Sequence, residues 1–500
     1  MRRNGRARTR GWLRDASIHG LAKRVGARRG ETVEACLADD FQVVPLDRFN
    51  DTFIHRARGI LGIELSHGGT TERTAPTQMI ASNRRFGRVL ERFLKRSAIK
   101  RRDFERSGTV RAFSARQFLI PAGGEPEGMF RGSTLVSLPC RGAEELAAPL
   151  ADGIGGWMLA NLGERGEMPY KYWPSRGEES PADNAIRRFL ATVALARLGE
   201  FRDSAELRAA AARNLRYNLA RYFQPLGDGR GAIVESTGAK LGAAALGGLA
   251  ILESPVRDEF RDELSMLAAG VNSLIHPKHG FRTFFFPAER DGQNWNFYSG
   301  EALLFWAEAM RQGAPFAPSL RRYTSVFRRC RDRHRRDRNP AFVPWHSQAN
   351  ASMFVQTGRR EFADFVLEMN DALLPMQQWD DLPLDLQGRF YDPKHPEFGP
   401  PHAASTGAYL EGLADALNLA RSRGDSARAA AYEKVIHRGL RSLRQLQFRS
   451  VLDTYYVSKK DRVLGALRTE AYDNAVRIDS AAHALAAAVK ILRTLCIEDR

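Results

Sequence analysis

No run of 18 or more apolar residues occurs in the 500-residue chain, so no segment is built to cross a membrane as a helix. The basic amino terminus, MRRNGRARTRGWLRDASIHGLAKRVGARRG, lacks the continuous apolar stretch of a secretory signal. Cysteine is scarce: Cys36, Cys140, Cys330 and Cys496 are scattered, with no CxxC pair and no metal-ligand spacing. That pattern excludes a disulfide scaffold and a structural zinc site, and it points to a reducing, cytoplasmic compartment. HxxEH, HExxH, GxGxxG, P-loop and GxSxG patterns are also missing from usable contexts. Metal proteolysis, dinucleotide chemistry and serine hydrolysis therefore find no support, and neither metal nor cofactor is expected.

Acidic residues are too few to balance a net charge of +18, but the excess is local. Residues 1–30 carry +9 and residues 321–338, RRYTSVFRRCRDRHRRDR, carry +7. Aromatic interleaving and known nucleic-acid modules are absent, so no nucleic-acid partner is expected. The two patches read as a flexible tail and as the solvated face of an outer helix.

A spaced repeat is present. Loops with aromatic and proline residues run six times into a small polar cluster and then an Ala-, Leu- and Gly-rich stretch. The junctions begin at Ser180, Glu235, Asn296, His346, His402 and Ala471. Asp183-Asn184-Ala185-Ile186-Arg187 recurs as Asp473-Asn474-Ala475-Val476-Arg477, and Ser236-Thr237-Gly238-Ala239 recurs as Ser405-Thr406-Gly407-Ala408. Such a period marks a repeated supersecondary unit. Charged, polar-faced helical stretches alternate with the small-residue ones, as expected for an outer, half-solvated ring around an inner, crowded ring. The expected fold is mainly α, an (α/α)6 toroid over residues 141–495. A small α+β region precedes it over residues 35–140, with a helix at 76–97 and a hairpin of TVRAFSARQFLIP with MFRGSTLVSLP. Residues 1–34 are expected to be a flexible basic tail. No oligomeric state follows from the pattern.

Inner helices of a toroid run parallel, so their amino-terminal ends converge on one funnel, each with unpaired N–H groups and a positive dipole end. Ring closure would set the two Asp-Asn-Ala-(Ile/Val)-Arg copies side by side. Glycosidic cleavage needs a protonated acid and a carboxylate. Glu301, early in an apolar inner helix, and Asp183 or Asp473 are the catalytic candidates, although an Asp at a helix start is also a common N-cap. Arg187 and Arg477 would either pair with Asp183 and Asp473 at i,i+4 spacing or hold a carboxylate-bearing sugar. Asp479, in an Ala-rich helix, needs a partner if it is buried. Trp173, Tyr172, Trp295, Tyr298 and Tyr472 are placed to stack on a sugar or to pin loops. His346 and His402 open two inner helices, where they would move protons or cap. Asp380-Asp381 with Asp385 is a loose aspartate-rich match in a Pro-containing loop, a poor setting for a metal-bound diphosphate.

The hairpin repeat, with MPYKYWPSRGEESPADNAIRRFLATVALARL and GALRTEAYDNAVRIDSAAHALAAAV, resembles the six-hairpin glycosidase-like superfamily of α/α toroids. The last segment is similar to the terminal hairpin of D-glucuronyl C5-epimerase-type toroids. The resemblance covers residues 141–495 and implies a carbohydrate-active enzyme with an oligo- or polysaccharide substrate. That superfamily contains hydrolases, lyases and epimerases that use different residues, so no catalytic residue carries over. Hydrolysis by a carboxylate pair is the first expectation. Uronate epimerisation or elimination by a Tyr or His, with Tyr172, Tyr298, Tyr472 and His346 as candidates, is the alternative. A toroid that only binds a polymer or protein is a third.

Overall fold

The computed structural model describes residues 1–13, 31–121, 124–136 and 142–496. Cys140 and residues 14–30 of the expected tail lie outside the described residues. The amino-terminal region is a seven-stranded sheet with short helices packed against it. Its strands are β1 (Arg2–Arg3), β2 (Arg6–Ala7), β3 (Glu31–Val43), β4 (Gly62–His67), β5 (Thr70–Thr74), β6 (Thr109–Pro121) and β7 (Glu127–Met129). Their order is β2-β1-β3-β6-β4-β5, with β7 also on β6. The described start of the chain is therefore no free tail, because β1 pairs with β3 through Arg2↔Thr32. The helices are α1 (Phe49–Thr52), α2 (Pro76–Ser82), α3 (Phe86–Arg96) and α4 (Arg101–Ser107).

Two local expectations change. The helix expected over 76–97 is two helices, broken where Asn83 takes a left-handed backbone, φ 48°, which Asn tolerates better than most residues. The hairpin is real but short: β7 covers Glu127–Met129 only, and the long partner of β6 is β3, running from Thr32↔Pro121 to Val43↔Arg111. The core of this region sits between β4 and β6 (Ile63, Leu65, Val110) and α3 and α4 (Val89, Leu90, Phe93, Phe104).

The rest is the toroid. Its outer helices are α5 (Glu144–Asn161), α7 (Ala205–Tyr222), α9 (Arg261–Ser273), α11 (Leu320–Arg336), α13 (Arg360–Asp371) and α15 (Ser426–Leu446). Its inner helices are α6 (Ala185–Phe201), α8 (Leu241–Leu252), α10 (Trp295–Arg311), α12 (Val343–Thr357), α14 (Ala403–Ser422) and α16 (Ile478–Cys496). Each inner helix packs on the next, and α16 packs back on α6, so the ring closes. All twelve residues of α8, LGAAALGGLAIL, are buried. Its small residues set the spacing: a Cβ on Gly248 would lie 2.6 Å from the Phe305 ring of α10. α11 buries Tyr323, Val326, Phe327, Cys330 and His334 at helical spacing. Its arginines face outward, and Arg328 and Arg335 pair with Glu361 and Glu368 of α13. The Arg-rich stretch is thus the solvated face of an outer helix.

Short sheets line the rim where the inner helices begin. After β8 (Lys171–Trp173) and β9 (Glu178–Glu179), the loops carry β10 (Phe223–Gly227), β11 (Arg230–Glu235), β12 (Gly238–Lys240), β13 (Ile275–His276), β14 (Gly280–Phe281) and β15 (Phe284–Phe286), then β16 (Arg468–Glu470) and β17 (Asp473–Arg477); one sheet has the order β16-β17-β8-β9. It stitches the last hairpin to the first through Val476↔Tyr172 and Arg477↔Lys171. The amino-terminal region docks on the same side. Arg131 donates to Asp385 at 2.5 Å with both side chains buried, and Asn83 donates to Asp473 at 2.8 Å.

Candidate active site

Contacts near the leading ends of the inner helices run around the whole ring. Glu235, ahead of α8, accepts from the Ala185 N–H that starts α6, at 2.8 Å. A Cβ on Gly242 of α8 would strike the Glu301 carboxylate of α10, and one on Gly300 would strike Trp345 and His346 of α12. Gly412 of α14 faces Ser347 of α12, and Gly407 faces His483 of α16. Asp479 of α16 completes the circuit on Arg187 of α6, Oδ2 to Nε 3.0 Å. The six helices therefore begin at a common mouth. At the floor, Arg197 of α6 holds Glu253 by two 2.7 Å bonds and reaches Gln348 of α12, on the opposite side of the ring, at 3.5 Å.

Two groups of side chains meet where α14, α16 and α6 adjoin. The first is Arg187–Asp479–Arg477. Asp479 also accepts from Arg477, Nε to Oδ1 3.0 Å, and from its own Ser480 N–H. Burial opposes its charge, but the two guanidinium groups outweigh burial and hold its carboxyl below the usual range. The second is His483 with Glu411: Nδ1 lies 2.7 Å from Oε1, and the carboxylate is fully buried. With Glu411 accepting at Nδ1, Nε2 is the ring nitrogen left for proton exchange.

His402 is the counterpart. It N-caps α14, its Nδ1 accepting from the Ser405 N–H at 3.0 Å. Burial, then Arg477, press its pKa down to about 4, so near neutral pH the ring is uncharged and its proton sits on Nε2. One histidine thus offers a base and the other a hydrogen-bond donor. His483 is itself among the groups depressing His402, which places the two rings in each other's field.

Other expected site residues are placed elsewhere. No hydrogen bond or ion pair links any two of Glu301, Asp183 and Asp473. Asp183 accepts from Arg188 and Tyr222, and the N-cap of α6 is Asn184. Asp473 opens a strand, not a helix, and Arg477 ends that strand, so the two matching motifs differ in conformation. Their arginines nonetheless meet at Asp479, not at Asp183 and Asp473. Glu301 lies between α8 and α10, 2% exposed, with Oε2 unpartnered; burial pushes its pKa up to about 8 against the pull of Lys240. Tyr298 beside it is raised by burial and by Glu301. His346 is core, stacked on Phe342 at 3.5 Å and bonded to Ser299 at 3.0 Å. Trp295 is core as well, donating to His279 O at 3.0 Å. Tyr172 is buried beneath Arg462, and Tyr472 lies between Arg58 and Arg131 of the amino-terminal region. Trp173 carries Lys171 and Arg176 over its ring.

Sequence reading did not single out His483. Its signal was a lone imidazole in the apolar run of α16, and the companion signal was Glu411 in the apolar run of α14. Buried polar groups in such runs need partners, and here they are each other's.

No family sequence model matches the chain, and no curated protein matches it in sequence. Solved structures do. An unsaturated glucuronyl hydrolase specific for heparin superposes with a TM-score of 0.51 at 11% identity, over 72% of this chain and 99% of its own. D-mannose isomerase superposes with a TM-score of 0.51 at 12% identity, over 72% and 100%. The fold is that of the six-hairpin α/α toroids.

Proposed function

We propose that the chain is a sugar-active enzyme that moves a proton at a carbon beside a carbonyl or carboxyl group, in isomerisation, epimerisation or elimination. The observation that carries this reading is the 2.7 Å His483–Glu411 contact at the funnel mouth. His483 Nε2 takes the C–H proton. His402 Nε2–H donates to the adjacent oxygen and supports the negative charge that develops there. Glu411 holds the ring orientation and supports the imidazolium once it forms. The two superposable structures, named for sugar substrates, fit the same setting. The test is a product screen of aldoses, ketoses and uronates by NMR. Conversion without chain cleavage, or cleavage that leaves an unsaturated product, supports proton transfer, and new reducing ends from a glycan with no unsaturated product contradict it.

Hydrolysis is the second reading, favoured by Glu301, whose carboxyl at about 8 stays protonated near neutral pH as a general acid does. It needs a carboxylate about 5–9.5 Å away, and Asp183 and Asp473 are each committed to other partners.

A further inference from the structure

The lip of the mouth beside the histidines carries more positive charge than its carboxylates answer. Lys171 of β8 stands directly opposite Arg477 of β17, so both side chains project from the same face of the sheet. Like charges in that relation destabilise a sheet. Lys171 has no carboxylate partner among the described residues; its ammonium lies 5.4 Å from the centre of the Trp173 ring, with Arg176 at 4.9 Å from the same ring. Arg187, which bonds the Tyr170 hydroxyl, brings a further cation. Among the described residues, Asp479 is the one carboxylate in ion-pair contact with this group, and it is shared between Arg187 and Arg477. Glu178, across from Trp173, is exposed and makes no ion pair. The lip therefore sets Lys171, Arg176, Arg187 and Arg477 against Asp479 and Glu178.

We infer that this lip is an anion subsite, and that the sugar bound in the mouth carries a carboxylate, phosphate or sulfate group. Trp173 pre-arranges the cations by holding charge over its ring, while Arg187 and Arg477 offer forked donors that suit flat or tetrahedral oxyanions. Asp479 and His483 are four residues apart on α16, so they share a face at about 5–6 Å. That distance is the span of one sugar ring, which places the anionic substituent on the same ring as the carbon facing His483.

This inference rests on the mouth being the sugar site, and its test is equilibrium binding, separate from product formation. D-glucuronate, D-glucose 6-phosphate, D-glucose 6-sulfate and D-glucose are titrated by calorimetry into the full chain and into Lys171→Gln and Lys171→Arg. At least one anionic sugar should bind roughly tenfold or more tightly than glucose, and the preferred one identifies the substituent. That preference should fall roughly tenfold in Lys171→Gln and persist in Lys171→Arg. Glucose binding as tightly as all three, or a preference unchanged in a folded Lys171→Gln, overturns the subsite. Should Lys171→Gln fail to fold, the wild-type ranking alone decides. Selective binding without any product would leave the subsite standing and count against proton transfer.

Discussion

His483 and Glu411 meet at 2.7 Å from neighbouring inner helices, and the contact commits Nδ1 to the carboxylate and leaves Nε2 free of it. Replacing His483 by Asn keeps a donor near Glu411 but removes the base. Turnover should fall by about 10²–10⁴-fold, with a smaller fall in Glu411→Gln, where the ring loses its orienting charge. Steady-state rates on whichever sugar the product screen identifies will show the order.

Among the described residues, Asp479 is the only carboxylate bound to Arg187 and Arg477. Asp479→Asn leaves two guanidinium groups facing each other at the closure of the ring. Urea denaturation of the full chain should show a loss of about 2–4 kcal/mol. Adding Arg187→Gln should recover part of it, because one unpaired cation is then gone.

Arg131 and Asp385 form a buried pair between the amino-terminal region and the loop that leads to His402, and Arg131 also lies over Tyr472 on the way to Arg477. Arg131→Met should destabilise the fold by about 3–5 kcal/mol, since it strands Asp385. Hydrogen exchange should quicken first in residues 377–402 and 468–477, ahead of the inner helices.

Glu301 gives the fold a pH dependence of known sign. Burial raises its pKa to about 8, above that of an unfolded glutamate near 4.3. The folded state holds the proton more tightly, so this contribution is complete below about pH 4 and is lost as pH rises towards about 8. Glu301→Gln should remove that slope, a difference on the order of 4 kcal/mol between pH 4 and pH 9 by denaturant titration.

The toroid was legible because its signal is compositional. Runs such as LGAAALGGLAIL can only be buried all round, while stretches such as SLRRYTSVFRRCRDRHRRD are apolar on one face. Asp479's need for a partner follows from its place in an Ala-rich helix, and ring closure sets the two Asp-Asn-Ala-(Ile/Val)-Arg copies side by side, but that their arginines share Asp479 was not legible. The site chemistry was less legible. Asp473–Arg477 matches the start of α6 in sequence but is held as a strand by Tyr172 and by Asn83, contacts remote along the chain. Likewise, His346 and His402 look alike as leading histidines. One turns back onto Phe342, while the other caps its helix beside Arg477.

The most direct test of proton transfer at His483 is deuterium wash-in. An accepted sugar is incubated in D2O with the wild-type chain and with His483→Asn, and the carbon-bound hydrogens are followed by NMR. Solvent deuterium should enter at one carbon beside the carbonyl or carboxyl group with wild type, and its entry should nearly cease with His483→Asn. Conversion of that sugar with neither deuterium at carbon nor an unsaturated product, or equal wash-in by both proteins, would contradict the account.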